Sequence, residues 1–279
     1  MNNFKNIAKS LTATININCL ISKKNINLIN PVALCTGLFC LLSVTIFSCT
    51  KDGTYPFRHP SLATTSLMVV QGGINITKED IYLGIDNKSV SSQPLIYGDH
   101  TDYLSAFAGG HVVQVGEHGP GVLTYVGLAS DTVFLNPGNS YSLFLWSTST
   151  ATTNDYPGTR INNQVGFTLL TDSLSKPAAG QAKIRFVDVS LNAGPVDLVM
   201  NGNVLVPNKT IGGYSLFMPV SPTTSGNFEV RENGSSVILS TLKNINIKSG
   251  GIYTLWLYGS ASGTQNTGLN LGIITNKQY

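Results

Sequence analysis

Asn136-Pro-Gly-Asn-Ser-Tyr-Ser-Leu-Phe-Leu-Trp146 is answered 112 residues later by Lys248-Ser-Gly-Gly-Ile-Tyr-Thr-Leu-Trp-Leu-Tyr258. In each stretch a turn glycine (Gly138, Gly250) stands three residues before a tyrosine (Tyr141, Tyr253), and large apolar residues follow. Alternation along a strand puts Tyr253, Leu255 and Leu257 on one face and Thr254, Trp256 and Tyr258 on the other. Tyr141, Leu143 and Leu145 form the matching set in the earlier stretch. These six are expected to face a core, because a slip of one residue would bury the hydroxyl of Ser142 or Thr254 there without a partner. The strands themselves are expected to lie centrally in their sheets. Repetition in register predicts two units of one strand order.

The flanks repeat as well. Asp80-Ile-Tyr-Leu-Gly-Ile-Asp-Asn87 corresponds to Val196-Asp-Leu-Val-Met-Asn-Gly-Asn203, each a strand running into an Asx-rich turn. Asn201-Gly202 supplies the positive backbone angles of a tight hairpin. Downstream, Val165–Leu170 corresponds to Leu271–Thr275, and the loop before it is longer in the first half, over Ser147–Asn163. Clusters of Gly, Asn, Ser and Thr interrupt β-branched and aromatic runs at intervals of about ten residues, as in sandwiches and barrels. The fold class expected is all-β: two tandem antiparallel β-sandwich domains, Ig-like or transthyretin-like, over 64–176 and 177–279. The short linker Ser175-Lys-Pro-Ala-Ala-Gly180 joins them.

In the second half, Ala182-Lys-Ile-Arg-Phe-Val-Asp-Val-Ser190, Gly194-Pro-Val-Asp-Leu-Val-Met-Asn-Gly202 and the Gly250–Tyr258 strand resemble the DUF4397 domain. The resemblance is fullest over Ala182–Gly259. It is looser over Thr65–Ser147, where Lys78-Glu-Asp80 replaces the Pro-Val-Asp step. It implies a fold and no activity.

The N-terminal part reads as a leader. An apolar run over Val32–Phe47 ends in Ser48-Cys49-Thr50-Lys51-Asp52 and resembles the lipobox of bacterial lipoproteins of the Bacteroidetes type. That resemblance implies a signal peptide over 1–48, cleavage before Cys49 and lipidation of its thiol. It also implies an outer-membrane lipoprotein of the cell envelope, periplasmic or surface-exposed. The run is shorter than the ~20 residues of a spanning helix. Met1–Asn30 is long for the segment that precedes such a core, and Phe47 is bulky for its place. Residues 49–63, polar and holding Pro56 and Pro60, read as a tether.

Charge and cysteines divide at the same point. Of 17 basic residues, four (Lys5, Lys9, Lys23, Lys24) lie in the leader, which has no acid. The 13 that remain face 14 acidic residues, a net −1, so the overall +3 does not signal nucleic acid. Cys19, Cys35, Cys40 and Cys49 all lie at or before the cut, which leaves the mature chain no disulfide and no cysteine zinc site.

Motifs for catalysis, phosphate binding or cofactors are missing from the sequence, and no metal or cofactor is expected. His59, His100, His111 and His118 all fall in the tether or first half. Asp99 and Asp102 beside His100 could form a triad or metal site, yet loop histidines of β domains are usually solvated. Asp188 and Asp197 are expected to cap turns. Asp131-Thr132-Val133 and Asp172-Ser173-Leu174 resemble a bacterial O-glycosylation pattern. Phe144, Trp146, Trp256 and Tyr258 share the alternate strand face. Exposed, they would stack on sugars; buried, they would pack under a loop or against the other domain. The function expected is a non-enzymatic, lipid-anchored envelope protein with a structural or adhesive role and a protein or glycan partner. The alternative is a surface carbohydrate-binding accessory module.

Overall fold

The computed structural model describes residues 63–74, 81–86, 88–89, 94–118, 125–148, 165–264 and 267–279. The leader, Cys49, the tether to residue 62 and the loop over 149–164 lie outside the described residues, so the expectations placed on them are not addressed by it.

Among the described residues there are sixteen strands and no α-helix. The first eight are β1 (Thr64–Gln71), β2 (Ile81–Ile85), β3 (Lys88–Ser89), β4 (Leu104–Phe107), β5 (Gly109–His118), β6 (Tyr125–Leu135), β7 (Ser140–Ser147) and β8 (Val165–Thr171). The second eight are β9 (Ala182–Asp188), β10 (Val196–Met200), β11 (Asn203–Lys209), β12 (Met218–Val220), β13 (Thr223–Glu232), β14 (Ile238–Ile247), β15 (Gly251–Tyr258) and β16 (Asn270–Gln278).

Four sheets result, in the orders β4-β1-β7-β8, β3-β2-β5-β6, β12-β9-β15-β16 and β11-β10-β13-β14. Adding eight to each strand of the first two sheets gives the last two. The strand order of the first half recurs whole in the second, and β7 and β15 are interior strands, as the alternating pattern predicts. β8 and β16 close equivalent edges. One departure from a purely antiparallel sandwich also recurs: β1 runs parallel to β7, and β9 to β15. The chain leaves each first strand, builds the whole facing sheet and one edge strand of its own sheet, and re-enters beside it from the same end, which is the crossover a parallel pair requires.

Each half closes over its own core. Leu67, Val69, Leu83, Val113, Val115, Leu135, Tyr141, Leu143 and Leu145 fill the first. Ile184, Phe186, Val196, Leu198, Phe228, Val230, Tyr253, Leu255 and Leu257 fill the second. Tyr141 and Tyr253 and the leucines beside them thus point where the alternating pattern places them. Asn201 (φ 49°) and Gly202 (φ 84°) make the left-handed turn from β10 to β11.

A third core lies between the two inner sheets. Met68, Val70, Phe144 and Leu170 from the first half pack on Val187, Val189, Trp256 and Ile274 from the second. Residues 59–279 are therefore one compact unit of four stacked sheets. The inner sheets bury large apolar side chains on both faces, and each contributes roughly 1.5–3 kcal/mol before entropy. No cysteine follows Cys49 in the sequence, so these sheets are held by that burial without a disulfide of their own.

Candidate functional site

The four aromatics singled out in the sequence converge on the seam between the inner sheets. Phe144 and Trp256 meet across it, ring centroids 6.2 Å apart and inclined at 62°. Phe144 is fully buried and Trp256 is 2% exposed. Trp256 stacks on Tyr258 at 4.3 Å, and Tyr97 and Tyr258 meet in a T-shaped contact at 5.6 Å. Trp146 is half-buried and donates its indole N–H to Thr168 Oγ1 at 3.1 Å.

Glycines make room for these rings. Trp146 lies against Gly166, its cross-strand partner, and Trp256 against Gly272, in the same relation one half later. A β-carbon at either glycine would overlap the indole. Tyr258 packs on Gly98, where a β-carbon would come 3.0 Å from the ring. Phe144 and Trp256 thus have their rings enclosed where the two halves meet, whereas Trp146 and Tyr258 are only partly covered.

A buried polar network sits below the aromatics, and the sequence reading did not find it. Arg185 on β9 places Nη1 2.6 Å from Asp172 Oδ1, just after β8. Its Nη2 donates to Ser142 Oγ at 2.9 Å, and its Nε to Thr254 Oγ1 at 2.8 Å. Ser142 and Tyr103 donate to Asp172 Oδ2 at 2.7 and 2.5 Å. Thr254 donates to Asn276 Oδ1 at 2.6 Å, and Asn276 Nδ2 donates to Tyr103 at 3.1 Å. The guanidinium lies 4.5 Å over the ring of Phe217. Burial pulls the Arg185 pKa down while the Asp172 carboxylate opposes it. Burial, then the charge of Asp172, pushes the Tyr103 phenol up. Ser142 and Thr254, whose hydroxyls would be stranded in either sandwich core, find their partners here. Arg185, set directly between Ile184 and Phe186-Val187, was the available signal: a buried guanidinium needs a carboxylate partner.

The histidines and remaining acids are separate. His100 lies beside Asp99, whose Oδ1 accepts the His100 backbone N–H at 2.7 Å. Asp102 is exposed. His111 bridges Asp86 Oδ2 at 2.7 Å and the carbonyl of Phe107 at 2.9 Å, joining a turn to β4. His59 lies outside the described residues and His118 ends β5. Among the described residues no three His, Cys, Asp or Glu side chains gather as a metal site.

Asp197 accepts from the backbone of Asn208 (2.7 Å) and Gly234 (2.9 Å) and from the side chain of Asn233 (2.7 Å). Burial acts to raise its pKa, and these three donors outweigh it, holding the carboxyl below its usual range. Asp188 Oδ1 accepts the N–H and hydroxyl of Ser190 at 2.9 and 2.6 Å. Both acids cap turns. Of the two glycosylation-like stretches, Thr132 is exposed, while the Asp172 side chain is committed to Arg185.

Residues 66–199 match the family model of DUF4397, a domain of unknown function. The match covers the first sandwich with β9 and β10, whereas the motifs quoted from the sequence concentrate on Ala182–Gly259. The match begins within β1 and ends within β10, so the Pro195-Val196-Asp197 step lies near its end. Among solved structures, a carbohydrate-binding module of family CBM26 from Eubacterium rectale, in complex with maltoheptaose, aligns at 11% identity. It covers 77% of this chain and 97% of that one, with a TM-score of 0.22. No curated protein matches the sequence.

Proposed function

We propose that the mature chain is a non-enzymatic, lipid-anchored protein of the cell envelope, whose two copies of one sandwich act as a single stiff body in a structural or adhesive role. The observation that carries this is the third core. Apolar side chains from both inner sheets, with the Arg185–Asp172 pair set among them, make a continuous four-layer stack. A linker that let two modules swing apart would expose that surface to water. The linker is instead tied down: Lys183 Nζ donates to the carbonyl and hydroxyl of Ser175 at 2.8 and 2.9 Å, and the Tyr279 hydroxyl donates to the Leu174 carbonyl.

Anchoring rests on the leader pattern and Cys49. A single acyl chain holds a protein only marginally at a membrane, so stable retention needs the several chains that lipoproteins carry. Globomycin, or Cys49→Ala, should leave unprocessed precursor or release the protein from the outer-membrane fraction. An unchanged membrane-bound mature form under both conditions would sink the anchoring half of the proposal.

The carbohydrate-binding alternative needs an aromatic face open to solvent, and the packing of Trp146 and Trp256 supports the structural reading over it. A glycan array on the mature chain separates the two. A hit lost on Trp146→Ala would favour the accessory module, and an empty array leaves the structural reading in place.

A further inference from the structure

Register gives each seam residue of one half an equivalent in the other. Leu67 pairs with Tyr141 and Ile184 with Tyr253, so Met68 is equivalent to Arg185, and Ser142 to Thr254. Phe144 is equivalent to Trp256, and Gly72 to Val189. The hydrogen bond from Gly72 N–H to the Leu145 carbonyl (2.9 Å) recurs from Val189 N–H to the Leu257 carbonyl (2.8 Å), which fixes that alignment. Thr171 pairs with Tyr141 and Thr275 with Tyr253, so the next residues, Asp172 and Asn276, are equivalent.

The equivalent positions differ in a complementary way. The first half presents Met68, Asp172 and Gly72; the second presents Arg185, Asn276 and Val189. Arg185 meets Asp172 at 2.6 Å. Val189 fills the space above Gly72, where a β-carbon would come 2.7 Å from its Cγ2. Two second halves facing each other would bury two guanidinium groups with no carboxylate and set valine against valine. Two first halves would bury two carboxylates opposite methionines and leave a hollow at the glycines. Each like-with-like pairing strands a charge in an apolar seam, which is the costly arrangement.

We infer that the inner-sheet faces form a pairing code. The face of a first sandwich accepts a second sandwich and rejects another first, so the partner this surface fits is the complementary half, from its own chain or from a second copy. Two chains could then join by exchanging halves without any new contact.

The test uses the whole mature chain with a protease site inserted between Ala178 and Ala179, which are exposed. After cutting, the protein is taken through urea, refolded, and weighed by native mass spectrometry. The expected result is one-to-one complexes of a first with a second half and no like pairs. Halves that stay apart, or that pair without preference, would overturn the inference. Arg185→Met alone should weaken the complex by at least about 30-fold, since it leaves Asp172 buried without its charge partner. Arg185→Met with Asp172→Asn gives both halves the same methionine and amide. First–first pairs should now appear, while Val189 still bars second–second pairs. If the double variant forms no first–first pairs, the charges do not carry the code.

Discussion

The hydroxyl of Tyr253 accepts the backbone N–H of Lys248 at 3.0 Å, five residues earlier in the chain. Tyr141 does the same for Asn136 at 2.9 Å. Between each pair lies a glycine in the left-handed region, Gly250 (φ 78°) or Gly138 (φ 73°). The tyrosine ring belongs to the sandwich core while its hydroxyl reaches back to close the turn. One side chain thereby fixes both the strand's facing and the angle at which the chain enters it.

Tyr253→Phe and Tyr141→Phe should each leave a backbone donor without its acceptor while keeping the ring. Each is expected to lower stability by about 1–3 kcal/mol in urea unfolding. The two sites lie in different sandwiches, so their effects should add. A neutral result at either tyrosine would show that its hydroxyl is not holding the turn.

Gly272→Ala should be more damaging than its size suggests, because the new methyl would run into the indole of Trp256. Overpacking of this kind costs about 1–3 kcal/mol. It should also raise acrylamide quenching of the Trp256 emission, since the ring must leave a seam in which it is now 2% exposed. Gly166→Ala should do the same to Trp146. A stable variant with unchanged emission would mean that the ring can slide aside freely.

The alternation at Tyr141–Leu145 and Tyr253–Leu257 was legible because a sandwich core imposes a strict period of two on one face. The burial of the other face was less so. A strand with aromatics on its second face reads the same whether that face binds a ligand or packs on another sheet. The discriminating sign was that β7 and β15 are nearly continuous apolar runs, as strands buried on both faces are. Arg185 was passed over because its partner, Asp172, comes from the other half. A charge pair across a seam has no signature in local spacing, and the parallel pairing of β1 with β7 has none either.

Asp197 ties its own strand, β10, to the end of β11 through Asn208 and to the turn after β13 through Asn233 and Gly234. Asp197→Ala should cost roughly 2 kcal/mol or more, as two backbone donors lose their acceptor. Its carboxyl is held below the usual range, so its contribution is present above the unfolded-state pKa of about 3.9 and is lost as pH falls further. Acid titration of the unfolding free energy should therefore be shallower below pH 4 in the variant than in the wild type. Equal slopes would remove Asp197 from the acid response.

Asp188 should behave with the opposite sign. It is fully buried, Oδ1 takes both donors of Ser190, and Oδ2 has no partner among the described residues. Burial pushes its pKa from 3.8 up to about 6, against the pull of the two Ser190 hydrogen bonds. The folded state therefore holds this proton more tightly than the unfolded chain. Its stabilising effect is complete below about pH 3.8 and is lost as pH rises through 6. A shift of about two units corresponds to about 3 kcal/mol between those limits. Asp188→Asn cannot titrate, so the free-energy difference between variant and wild type should move by about that amount, in the variant's favour, from pH 4 to pH 7. Denaturant unfolding at several pH values would measure it. A difference that stays flat across that range would mean that Asp188 is charged throughout, with its second oxygen satisfied by bound water.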